Sequence, residues 1–123
     1  MNFNDTEIGR LIQKDLSMME GRRETVKAGM LDRMRIRKVS PKQLHVNPDD
    51  EFSYPNIGPN DAIISNYCQL ALRNSSLNLE VFDEPIIVNK LRVGGYLILN
   101  GHHRWAGAIR AHVKTVRISI ENP

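Results

Sequence analysis

A single cysteine, Cys68, in 123 residues excludes an intramolecular disulfide and any metal site built from several thiolates, as suits a reducing compartment. Long apolar runs are also missing. The longest is Tyr96-Leu97-Ile98-Leu99, far short of the roughly 20 residues a membrane-spanning helix needs, and the first residues carry no basic-then-apolar leader pattern. The expected setting is the cytoplasm, with no membrane partner. Acidic residues are scarce in one stretch: residues 22–42 hold eight of the 17 Lys and Arg side chains against only Glu24 and Asp32. Such a basic arm is either a solvated helix face or a surface for a polyanion, and DNA would meet it at Arg22, Arg23, Lys27, Arg33 and Arg35. A chain of this size buries a limited core, so the apolar face of the N-terminal segment is a candidate for burial in a homodimer.

The remaining 41% hydrophobic content is patterned. Ile8, Leu11, Ile12, Leu16 and Met19 recur at helical spacing, with Asn4 and Glu7 as a relaxed capping box, and Gly21 is the expected break. Val26, Met30, Leu31 and Met34 predict a second amphipathic helix or a kinked continuation of the first. Residues 1–35 thus read as a helical arm and 36–123 as a compact domain. Residues 36–46 predict a strand and turn, 49–59 a loop. A helix starting at Pro59 or Asn60 carries Ile63, Ile64, Tyr67, Cys68, Ala71 and Leu72. Residues 85–91 and 96–99 flank Gly94-Gly95 as a buried hairpin. A helix with Trp105, Ala108, Ile109 and His112 on one face follows, then a closing strand in which Val116, Ile118 and Ile120 alternate with Arg117 and Ser119.

The chemistry is concentrated where the second hairpin strand runs through Asn100-Gly101 into His102-His103-Arg104. A strand feeding a glycine and then a helix leaves the first helical N–H groups unpaired and pointing at one spot, which favours an anion. Glycine permits close approach, Arg104 offers a planar fork, and the imidazoles can donate hydrogen bonds or move protons. His102 falls near the core face and His103 on the side of Arg110, so the two are not equivalent. Adjacent histidines on a helix are badly placed to share one metal ion, and no metal site is expected.

Residues 85–88, 95–104, Ala106, Ala108 and Thr115-Val116 resemble the core of the ParB/sulfiredoxin superfamily, and the order of elements extends the likeness over residues 36–120. The resemblance implies an α/β (α+β) domain with a small mixed sheet, in which a Gly-x-x-Arg turn opens a helix and holds nucleotide phosphates. Asn100, Gly101, His102, His103 and Arg104 would form that turn, and Asn60 and Ser65 on the middle helix would reach the other end of the phosphate chain. Sulfiredoxins carry their catalytic cysteine where this chain has His102, so that activity is not expected. Chromosome-partitioning ParB proteins have Gly-Glu-Arg-Arg and bind cytidine triphosphate; the histidines here, and the lack of a helix-turn-helix after the domain, argue against partitioning. The Gly-His-His-Arg version is similar to that of ParB-like serine kinases, in which an aspartate precedes the glycine. Asn100 stands there and cannot act as a base, which leaves His103 with Asp49, Asp50 or Glu51 as the candidate catalytic groups.

The expectation is a nucleotide-binding domain taking ATP, ADP or CTP with or without magnesium, with phosphoryl transfer or nucleotide hydrolysis as its chemistry. A DNA-binding or nuclease-like regulatory module using the basic arm, and a non-catalytic assembly domain, are the alternatives.

Overall fold

Apolar alternation and glycine-rich turns produce a five-stranded mixed sheet in the computed structural model, which describes residues 7–122. The elements are α1 (Glu7–Met18), α2 (Met30–Met34), β1 (Ile36–Val39), β2 (Leu44–His45), α3 (Asp61–Ser76), β3 (Ile86–Lys90), β4 (Tyr96–Asn100), α4 (His102–Ala111) and β5 (Val116–Ile120). The strand order is β1-β5-β3-β4-β2. β5 and β3 run parallel, as do β4 and β2, while β3 and β4 form the expected antiparallel hairpin around Gly94 and Gly95. Both glycines have positive φ, at 100° and 77°, where a side chain would be strained. Val116, Ile118 and Ile120 point inward and are buried, whereas Arg117 and Ser119 are half-buried.

The core joins this sheet to α1, α3 and α4. Ile8 and Ile12 of α1 lie in the same apolar cluster as Val88, Ile98, Trp105 and Ile118. Burying α1 also buries Asp15, whose carboxylate accepts from the Val46 N–H at 2.9 Å and lies 2.7 Å from His45 Nδ1, tying the helix to β2. The first helix therefore shares the core of the domain. Asn4 of the expected capping box lies outside the described residues.

The second helix is shorter than its apolar spacing predicts. Only residues 30–34 are helical, and Met30, Leu31 and Met34 are exposed at 68–74%. Upstream of them the chain is extended: Val26 N donates to Lys90 O at 3.0 Å, Arg92 N to Glu24 O at 2.8 Å, and Thr25 bridges Leu91. Pairing with the sheet satisfies these backbone groups without a helix. His112 does not continue the helical face of Trp105, Ala108 and Ile109. It is the exposed C-cap of α4 with φ 56°, because the helix ends at Ala111.

α3 and α4 pack against each other at close range. A Cβ on Gly107 would lie 2.6 Å from Tyr67 Cβ and 2.9 Å from Cys68 N, so only glycine allows this separation. Cys68 is buried in that contact region. Asn60 caps α3 as its residue type predicts, its Oδ1 accepting from Ile63 N at 3.2 Å.

Candidate functional site

The end of β4 delivers Gly101 in a left-handed conformation, φ 111° and ψ 23°, from which α4 starts abruptly. Its first intrahelical bond is Trp105 N to Gly101 O at 2.9 Å, so the N–H groups of His102, His103 and Arg104 have no partner within the helix. They open beside a cleft of about 490 Å³ lined by Ile63, Tyr67 and Leu70 of α3, by Phe82, Asp83 and Glu84, and by residues 100–104. Trp105 anchors the turn from below: it is 2% exposed, and its Nε1 donates to Pro41 O at 2.9 Å.

Arg104 does two things at once. Its Nη1 donates to the carbonyls of Glu84 at 3.1 Å and Pro85 at 3.3 Å, which joins α4 to the entry of β3. The opposite edge lies over Gly101, with Nη2 at 2.9 Å and Nε at 3.2 Å from the position a Cβ would take. That Nε–Nη2 edge is the one that grips an anion with two parallel bonds. Bare glycine thus leaves room for that edge against the start of the helix, where the Arg104 side chain is 11% exposed.

The histidines differ as the helical wheel predicts. His102 is 4% exposed, and its Nε2 accepts from the Asn47 N–H at 3.0 Å, with Nδ1 3.7 Å from Asp50 Oδ1. His103 is half-buried, and its Nε2 accepts from the Asn60 N–H at 3.0 Å. Burial pushes the His102 pKa down to about 4, with Asp50 opposing and His103 reinforcing. Burial likewise holds His103 below the usual histidine value against the pull of Asp50. Both rings are neutral near pH 7.

Asn100 and residues 101–104 come together at the cleft. Asn60 borders the turn through its bond to His103, and the others lie apart from the cleft. Ser65 Oγ accepts from Arg110 Nη1 at 3.1 Å, while Asp61 pairs with Arg110 Nη2 at 2.9 Å. Asp49 and Glu51 are exposed and do not line the cleft. The carboxylates that do line it are Asp83 and Glu84, and its apolar wall includes Tyr67 and Phe82, whose rings meet edge-on at 5.5 Å. No local motif marks those four residues. They come to the turn only through the packing of α3 and the loop before β3. Among the described residues no group of three or more His, Cys, Asp and Glu side chains is placed to hold a metal ion.

Residues 69–123 match the model of the ParB N-terminal domain family. The chain also superposes on chromosome-partitioning protein ParB from Caulobacter crescentus complexed with CTP-gamma-S, at 25% identity and TM-score 0.57 over 72% of this chain and 45% of that one. The fold is ParB/sulfiredoxin-like. The same partitioning protein complexed to the centromeric parS site matches this ParB-like chain at 26% identity and TM-score 0.54, over 70% of this chain and 40% of that one. Sulfiredoxin from Arabidopsis thaliana shares the fold at 13% identity and TM-score 0.52, over 72% of this chain and 86% of that one. The ParB-like chain spans less than half the length of the Caulobacter protein in either complex. No curated protein matches it in sequence.

Proposed function

We propose that this ParB-like domain binds a nucleotide with its phosphates at the start of α4. The observation that carries this reading is the turn at Gly101: the N–H groups of His102, His103 and Arg104 have no partner within the helix, and the Nε–Nη2 edge of Arg104 packs over a residue with no side chain. A similar protein is complexed with a CTP analogue, which makes CTP the first nucleotide to test beside ATP and ADP. The cleft between α3 and the 82–84 loop would take the rest of the molecule. Asn60 stands at the α3 end of the site, joined to His103, and Ser65 lies one turn further along α3.

Binding rather than chemistry is what the geometry supports best. His103 is the candidate catalytic group nearest the phosphates, and a role for Asp49 or Glu51 would require the 49–51 turn to swing toward the cleft. Magnesium binds through one or two carboxylates plus phosphate oxygens, so it would arrive with the nucleotide, and Asp83 and Glu84 are the carboxylates in reach of the cleft. A thermal-shift comparison of ATP, ADP and CTP, with and without magnesium, tests the reading. A bound nucleotide at 100 times its Kd adds roughly 2.7 kcal/mol and raises Tm by several degrees. No shift with any nucleotide contradicts it.

A second reading, DNA binding through the basic arm, is favoured by the exposure of Arg22, Lys27, Arg33 and Arg35 and by the similar protein complexed to parS. Arg23 would contribute less, since its Nη2 is bonded to Leu16 O at 2.8 Å. The exposed Met30, Leu31 and Met34 beside these charges suit a homodimer contact.

A further inference from the structure

Each motif histidine accepts one N–H from an end of the same segment, residues 47–60. Asn47 donates to His102 Nε2 and Asn60 to His103 Nε2, both at 3.0 Å. Between these ends Phe52 is buried with its ring 5.1 Å from both imidazoles, tilted on His102 and edge-on to His103. A ring nitrogen that accepts is unprotonated, so both rings carry their proton on Nδ1. An imidazolium has two donors and no acceptor, and protonating either ring would turn a donor against a donor.

We infer that His102 and His103 are positioning residues that form a two-point latch, holding residues 47–60 to the first turn of α4 while both rings are neutral and releasing an end of that segment when a ring is protonated. One latched residue, Asn60, is also the N-cap of α3, so the latch fixes where the α3 wall of the cleft begins relative to the phosphate turn. The charged groups around the rings are Asp50 from the segment, Arg104 from α4, and Asp83 and Glu84 along the cleft; Asp61 is engaged by Arg110. Asp50 favours the imidazolium, but burial outweighs it at both rings. The latch is therefore shut above pH 6.5 and opens as the pH falls, the His102 end holding to about pH 4. A phosphate at the α4 start would favour the imidazolium, so occupancy of the site and release of the segment are linked through a proton. That linkage rests on the nucleotide reading; the latch itself does not.

Nitrogen-detected NMR of the full chain tests the latch without ligand. Near pH 7.5 both rings are expected as Nδ1–H tautomers, with Asn47 and Asn60 amides protected from exchange and Asn60 protection falling as pH drops. His103→Gln places an amide oxygen near the Nε2 position and cannot titrate, so Asn60 protection should persist and lose its pH dependence. His103→Ala should lower it roughly five- to tenfold near pH 7.5, with the gap from the parent closing as the pH falls. An Nε2–H tautomer in either ring near neutrality, or the parent's pH dependence at Asn60 retained in His103→Gln, overturns the latch, and the Gln variant decides alone if the Ala variant does not fold. Calorimetry with CTP in two buffers of different ionisation enthalpy should show proton uptake in the parent and less in His103→Gln. Equal uptake in both overturns the linkage. Failure of CTP, ATP and ADP alike to bind while the NMR results hold removes the nucleotide reading and leaves the latch standing.

Discussion

Gly101, Arg104 and Trp105 depend on one turn in three different ways. A Cβ at position 101 meets a left-handed backbone and a guanidinium nitrogen 2.9 Å away. Gly101→Ala should therefore cost about 1–2 kcal/mol in stability and abolish nucleotide-dependent stabilisation, both read from thermal unfolding with and without nucleotide. Arg104 looks from the sequence like a pure ligand contact, but its Nη1 also serves the Glu84 and Pro85 carbonyls. Arg104→Ala should lower stability by about 1–3 kcal/mol as well as remove phosphate affinity, and urea unfolding beside a phosphate titration separates the two effects. Trp105 contributes only to the fold. Trp105→Ala should cost roughly 3–5 kcal/mol, and an unchanged urea midpoint would contradict its place in the core.

Among the elements, the 47–60 segment depends on pH through its histidines. His102 has a folded pKa of about 4 against an ordinary value of 6.5, so the unfolded chain takes up the proton first. Stability is then complete above pH 6.5 and declines as pH falls toward 4, by roughly 3 kcal/mol in total from this ring, with His103 acting in the same direction. Urea midpoints for the parent and His102→Gln across that window should converge at low pH and separate at neutral pH. Such a dependence was only half legible in the sequence. Wheel position separates His102 from His103, but their partners Asn47 and Asn60 are 55 and 43 residues away, and no periodicity encodes that. The β3–β4 hairpin, the Asn60-capped α3 and the strand-glycine-helix turn were legible because each is specified by neighbours in the chain. The Val26 segment was not: its apolar spacing suits a helix, and a distant strand edge claims its backbone. Asp83, Glu84, Tyr67 and Phe82 entered the site in the same non-local way.

For the whole molecule, two surfaces make separable predictions. Asp32 pairs with Arg37 and Lys90, and Glu24 with Arg92, so part of the positive charge near the arm is neutralised within the fold. Replacing Arg22, Lys27, Arg33 and Arg35 by alanine should weaken binding of a labelled duplex and flatten the dependence of log affinity on log salt, by close to one unit for each phosphate that is no longer neutralised. Nucleotide binding should be untouched by those changes. Amide chemical-shift mapping during a CTP titration, with ATP and ADP in parallel, reads whether phosphates seat at the start of α4. With at least one of these nucleotides the His102, His103 and Arg104 amides are expected to shift most, together with Gly101, while amides of residues 22–35 stay in place. Saturable shifts centred anywhere else, or none with any of the three, would contradict that seating.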